Sequence, residues 1–143
     1  MNALLARILL VEDNEGDIEL TREAFEDAHF RNELHVVRDG DEALDFLYQR
    51  NGYEQANKPD LILLDLNLPM LDGKEVLQVV KTDPGLKTIP VIVMTSSNAE
   101  RDVVASYDLH ANCYVVKPID AFKFVEVVKQ IENFWIDVVY LPK

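Results

Sequence analysis

Two periodicities alternate along the 143 residues of the chain. Short apolar runs occur at Ile8–Val11, Leu34–Val37, Leu61–Leu64, Val91–Met94 and Tyr114–Val116. Between them apolar residues recur every three or four positions, over Asp17–His29, Asp41–Arg50, Gly73–Thr82, Ala99–His110 and from Ala121 to at least Phe134. Uninterrupted apolar runs suit strands of a parallel sheet covered on both faces, and the longer spacing predicts amphipathic helices. Ser97 with Glu100, and Asp72 with Glu75, read as capping boxes in which side-chain oxygens satisfy the first free N–H groups of a helix. Asp83-Pro84-Gly85 ends the third helical segment.

Strand followed by helix, five times over, predicts a single α/β domain across residues 1–143. Right-handed crossovers place helices on both faces of an open parallel sheet, and the minimal five-stranded version is flavodoxin-like, a doubly wound (βα)5 unit of strand order 2-1-3-4-5. Ligands of such sheets bind beyond the carboxyl ends of the strands, where the first and third strands part. Glu12 and Asp13 follow the first strand and Asp65 follows the third, so three carboxylates converge there. Like charges so placed raise one another's pKa unless a cation joins them. An all-oxygen donor set favours Mg²⁺, with Mn²⁺ or Ca²⁺ able to substitute.

The fourth strand ends in Thr95-Ser96 and the fifth in Lys117-Pro118, which adds hydroxyls and an ammonium to the same rim. Acids, hydroxyl and ammonium together suit a phosphoryl group, and a carboxylate can accept one as an acyl phosphate. Asp65 is the candidate nucleophile. Taken singly, each residue has a blander reading: Glu12 and Asp13 as solvated loop acids with Asn14 capping the first helix, Thr95 as a spare capping hydroxyl, Lys117 as a surface charge, Tyr114 as a half-buried strand aromatic. Their convergence on one rim favours the chemical reading. His29, His35 and His110 fall away from the rim and read as surface residues.

Charge narrows the partners. With 26 acidic against 14 basic residues the net charge is -12, which repels nucleic acid and anionic lipid. No apolar run approaches the roughly 20 residues of a membrane span, and the segment before Arg7 is too short for a signal peptide. The expectation is a cytoplasmic protein with no nucleic-acid or membrane partner. Cys113 is the single cysteine, which excludes an internal disulfide and reads as a small buried strand residue.

The stretches VEDNEGD (11–17), LILLDLNLPMLDG (61–73), VIVMTSS (91–97) and YVVKP (114–118) resemble, in this order, the receiver domain of two-component response regulators. The resemblance implies that Asp65 is the phosphorylated aspartate and that Asp65, Thr95 and Lys117 form the catalytic set. Asp13 would hold the metal directly, Glu12 through metal-bound water, and Asn67 through its backbone carbonyl. Thr95 would be the switch hydroxyl, Lys117 the phosphate-binding lysine, and Tyr114 the aromatic that rotates inward on activation. The Lys117-Pro118 bond is usually cis in the family. The implied partner is a sensor histidine kinase or a histidine phosphotransfer protein, whose phosphohistidine supplies the group. Phosphorylation would switch a surface made by the fourth helical segment, the fifth strand and the fifth helical segment. Water would later hydrolyse the acyl phosphate, at a rate tuned at Asn67 and Ser97. The protein would act on no other substrate, so it is not expected to be an enzyme in the ordinary sense.

Two stretches depart from a minimal receiver. QRNGYEQANKPD (49–60) is a long polar connection, and IENFWIDVVYLPK carries the last helix into an apolar extension, 134–143. Phe124, Val127, Val128, Ile131, Phe134 and Trp135 share one helical face, whereas Phe122, Val125 and Ile136 fall on another. The second face is expected to form a homodimer interface, the alternative being a tail folded back on its own domain. The reading expects no output domain, so the signal leaves through contacts. Both departures also resemble the stand-alone response regulators that partner bacterial phytochrome kinases. Two other function classes compete. A haloacid-dehalogenase-like phosphatase needs an acid two residues after its nucleophile, where this chain has Asn67, which cannot deliver a proton. An interaction module that is never phosphorylated would not need the full chemical set.

Overall fold

A computed structural model of the chain describes residues 5–68, 72–95, 113–117 and 121–135. Its elements are β1 (Ala6–Val11), α1 (Glu15–Glu26), β2 (Asn32–Val37), α2 (Gly40–Leu47), β3 (Leu61–Asp65), α3 (Gly73–Thr82), β4 (Val91–Thr95), β5 (Cys113–Val116) and α4 (Ala121–Trp135). The five strands form one sheet of order β2-β1-β3-β4-β5, every pair parallel, as the alternation of strand and helix predicts. The expected helix Ala99–His110, its Ser97–Glu100 cap, and the chain beyond Trp135 lie outside the described residues. Among the described residues no helix is long and apolar enough to cross a membrane.

Successive strand side chains point to opposite faces, so an unbroken apolar run serves two cores at once. Leu9, Val11, Ile62, Leu64, Val91 and Val93 face Phe46 of α2 and Val76, Leu77 and Val80 of α3. Ile8, Leu10, Leu61, Leu63, Ile92 and Met94 face Ile18 and Phe25 of α1 and Phe124, Val128 and Ile131 of α4. The two helices on this second face meet each other through aromatic edges, Phe25 standing edge-on to Phe124 at 6.4 Å between ring centres. Each of these side chains contributes about 1.5–3 kcal/mol by leaving water. The edge strand β2 buries only Val37 fully, which explains the polar residues that interrupt its run.

The helix ends differ from the sequence expectation for local reasons. Asn14 caps α1 by accepting the Asp17 N–H at 2.9 Å, so the helix starts at Glu15. The first helical segment also stops at Glu26, short of His29. α2 stops at Leu47 because Gln49 and Asn51 take positive φ values of 56° and 53°, which no helix continues. The side chains of Arg50 and Asn51 turn back to Asp45 Oδ1 at 2.9 and 3.0 Å and hold that turn. Asp72 caps α3 through the Lys74 N–H at 2.8 Å, while the Glu75 N–H donates to the Asp72 backbone carbonyl at 3.0 Å. A simple cap therefore stands where a box on the Glu75 N–H was expected.

The 49–60 connection is long but not slack. Tyr53 Oη donates to Glu42 at 2.6 Å, Gln49 Nε2 to the Ala56 carbonyl at 2.6 Å, and Lys58 Nζ to the Gly85 carbonyl at 2.8 Å. Its last residue is clamped to the first strand from both sides: the Arg7 N–H donates to Asp60 Oδ2 at 2.9 Å and the Asp60 N–H to the Arg7 carbonyl at 2.7 Å. His35 is exposed, lies tilted against Phe46 and meets Tyr53 edge-on, and His29 is exposed, in keeping with surface roles. His110 lies outside the described residues.

Candidate functional site

Parallel register brings the strand ends to one rim. Val11 of β1 is level with Leu64 of β3, so Glu12 and Asp65 extend side by side from adjacent strands. Asp65 is level with Met94, and Thr95 with Val116, which sets Thr95 and Lys117 next along the same edge. The Lys117 N–H donates to the Thr95 carbonyl at 2.6 Å and closes that end of the sheet. Glu12 and Thr95 are fully buried, Asp65 is 3% exposed, and Asp13 and Asn67 are exposed.

α3 fixes the position of Asp65 from the other side. A Cβ on Gly73 would lie 2.6 Å from Leu66 Cα and closer still to the Asp65 carbonyl oxygen. Only glycine lets the first turn of α3 press against the backbone at the tip of β3. The Asn67 N–H in turn donates to Asp65 Oδ1 at 2.9 Å, so one carboxylate oxygen is oriented by the chain just beyond it.

Lys117 Nζ is the hub of the acids. It donates to Glu12 Oε1 at 2.7 Å, Asp17 Oδ2 at 2.8 Å and Asp65 Oδ2 at 3.1 Å. Burial works against the ammonium, yet Asp17 and Glu12 more than offset it and hold the Lys117 pKa above the ordinary lysine value. Burial pushes Glu12 up to about 7; its hydrogen bond and charge repulsion with Asp65 add to the rise, and Lys117 pulls it back only in part. One ammonium does not neutralise this cluster.

The donor set fits a divalent cation. Glu12, Asp13 and Asp65 each offer a carboxylate oxygen, and these oxygens lie within 4.8 Å of one another. All are hard donors, two are buried, and the exposed one opens the site to ion exchange with water. The structure thus brings together Glu12, Asp13, Asp65, Asn67, Thr95 and Lys117 as the sequence predicts. The Tyr114 backbone lies in β5 beside Val93, but its side chain is outside the described set, as are that of Phe122 and all of Ile136. Val125 is exposed on α4, at 47%. Sequence reasoning missed Asp17. An acid at the third position of a capped helix has a local explanation, and nothing in VEDNEGD marks it as a partner of a lysine 100 residues away.

The geometry agrees with known proteins. The family profile of the response regulator receiver domain matches residues 8–137. Response regulator Rcp1 of Synechocystis sp. (strain ATCC 27184 / PCC 6803 / Kazusa) is 48% identical over 135 residues, which cover 94% of this chain and 92% of Rcp1. The crystal structure of the phosphorylated cyanobacterial phytochrome response regulator RcpA superposes with a TM-score of 0.84 at 48% identity, covering 98% of this chain and 100% of RcpA. The Mn²⁺-bound form of Rcp1 superposes with a TM-score of 0.82 at 47% identity, over 96% and 99% of the two chains. Receivers bind a divalent metal and work by phosphorylation of an aspartate. With a profile that spans most of its length and an acid-lysine rim at the carboxyl ends of the strands, the chain belongs to the response regulator receiver domain family.

Proposed function

We propose that Asp65 is the phosphoryl acceptor of a signalling switch, charged by the phosphohistidine of a sensor kinase or of a histidine phosphotransfer protein. The observation that carries this is the single ammonium of Lys117 spanning Glu12 and Asp65 at the tip of a rigid, buried strand. An Asp65 carboxylate oxygen attacks phosphorus, the phosphorus–nitrogen bond of the donor breaks, and the departing imidazole keeps the electron pair and takes up a proton. Lys117 and the Thr95 hydroxyl then hold the phosphoryl oxygens. Glu12, Asp13, Asp65 and the Asn67 carbonyl would hold Mg²⁺, which supplies charge neutralisation between donor and acceptor. Movement of Thr95 toward the phosphoryl group makes room for Tyr114 and so biases the surface made by the fourth helical segment, 99–110, with β5 and α4. The likeness to RcpA and Rcp1 supports a phytochrome-type kinase as the donor. Asn67 offers no general acid, which disfavours turnover as a phosphatase.

Incubation with acetyl phosphate and Mg²⁺ tests this reading. Mass spectrometry should find one added phosphoryl group, absent when the cation is chelated. No adduct would sink the switch, and sustained hydrolysis of phosphate esters would replace it with a hydrolase.

The same reading makes residues 134–143 an apolar extension and places a homodimer contact at Phe122, Val125 and Ile136. Val125, exposed on α4, is the described residue of the three that supports it. Val125→Glu should shift sedimentation from dimer to monomer at tens of micromolar concentration, with unchanged circular dichroism. A wild type that sediments as a monomer throughout would reject the interface.

A further inference from the structure

We propose that Asp17 is a positioning residue that competes with the phosphoryl group for Lys117 and so restrains the switch, a role that rests on Asp65 being the acceptor. Asp17 occupies the third position of α1, counted from the Asn14 cap. An acid there ordinarily reaches back to the N–H of the capping residue. Here the Asn14 N–H donates to Glu12 Oε2 at 3.3 Å, and the Asp17 carboxylate turns to Lys117 Nζ at 2.8 Å. Its side chain is thus committed to the site, while its backbone N–H still serves the cap at 2.9 Å.

An ammonium has three N–H donors, and Lys117 spends them on three carboxylates at 2.7, 2.8 and 3.1 Å. A phosphoryl oxygen can be held only if one of these partners yields. The Glu12 side chain is fully buried, so losing the ammonium would strand a charge away from water. The Asp65 oxygen is where the new group attaches, so its 3.1 Å contact can pass to one phosphoryl oxygen only, and only once the bond has formed. The Asp17 side chain is 35% exposed and can be rehydrated when released. Asp17 is therefore the exchangeable partner. While it holds Lys117 it favours the unphosphorylated arrangement, and its charge repels an anionic phosphoryl group nearby.

Asp17→Asn keeps the shape and the helix cap but removes the charge. With acetyl phosphate and Mg²⁺, uptake on Asp65 should become about threefold to tenfold faster, and loss of the group after donor removal slower by a similar factor. Asp17→Glu, which restores the charge on a longer arm, should return both rates toward the wild type, an effect that a purely structural role would not produce. Uptake in Asp17→Asn equal to or slower than in the wild type would overturn the restraint while leaving the acceptor role of Asp65 standing. No uptake by the wild type itself would sink both.

Discussion

Asp65→Asn is expected to acquire no phosphoryl group from acetyl phosphate, and to unfold at a higher temperature than the wild type when no divalent cation is supplied. Asparagine fits the same space, and its side-chain oxygen can still accept the Asn67 N–H that now meets Asp65 Oδ1 at 2.9 Å. What it lacks is the anionic oxygen that attacks phosphorus, so uptake should fall to background rather than slow. The stability change has the opposite sign because the cluster is overcharged at rest. Lys117 keeps its two shorter bonds, to Glu12 and Asp17, and turns away from the third position, where an amide NH2 now replaces the oxygen it met at 3.1 Å. Relief of repulsion between Asp65 and its buried neighbour Glu12 outweighs that contact by on the order of 1 kcal/mol, or about 4 °C in the midpoint of thermal unfolding. Mg²⁺ should raise the wild-type midpoint and leave that of the variant nearly unchanged. A variant that is phosphorylated, or that is less stable than the cation-free wild type, would contradict the assignment of Asp65 as a buried member of a metal site.

Gly73→Ala should produce a much larger loss of stability than a methyl added to Gly16 or Gly85. The new Cβ would stand 2.6 Å from Leu66 Cα and closer to the Asp65 carbonyl, both backbone atoms that no rotamer change can move. Either α3 tilts away from Val76, Leu77 and Val80, which are fully or almost fully buried, or the tip of β3 shifts. Overpacking against backbone costs about 3 kcal/mol or more, and urea unfolding should show it as a lower midpoint at unchanged slope. Gly85→Ala is the comparison: its nearest new contact is the Asp83 side chain at 3.3 Å, and it should change stability by less than about 1 kcal/mol. If the alanine variant at Gly73 folds at low temperature, its phosphorylation should still be impaired, because the displaced backbone carries Asp65. Equal stability of the two variants would show that α3 does not press on β3 as described.

Sequence made the sheet legible wherever burial on both faces leaves unbroken apolar runs, as at Leu61–Leu64 and Val91–Met94. It was weaker at β2, where an edge strand mixes exposed and buried positions, and at the end of α2. That end depends on the bonds from Arg50 and Asn51 to Asp45, which no periodicity encodes. Glu12, Asp13, Asp65, Thr95 and Lys117 were legible because strand order alone carries them to one rim. Asp17 was not, because its side chain abandons a local bond for one across the sheet end. The tight seat of Gly73 was equally hidden, since it depends on how closely α3 settles on β3. Asp72 as a cap could be read, but its choice of the Lys74 N–H could not.

The bond between Lys117 and Glu12 joins residues 105 positions apart. During synthesis, which proceeds from the amino end, β1 and the acids beside it appear well before the ammonium that makes Glu12 tolerable in the interior. A partly made chain therefore has β1 ready but a carboxylate at that strand's tip that resists leaving water. The acid acts as a late condition on assembly: β1 is expected to settle fully between β2 and β3 only once β5 has delivered Lys117. Premature closure of an incomplete sheet is discouraged by the same charge that later serves the finished protein.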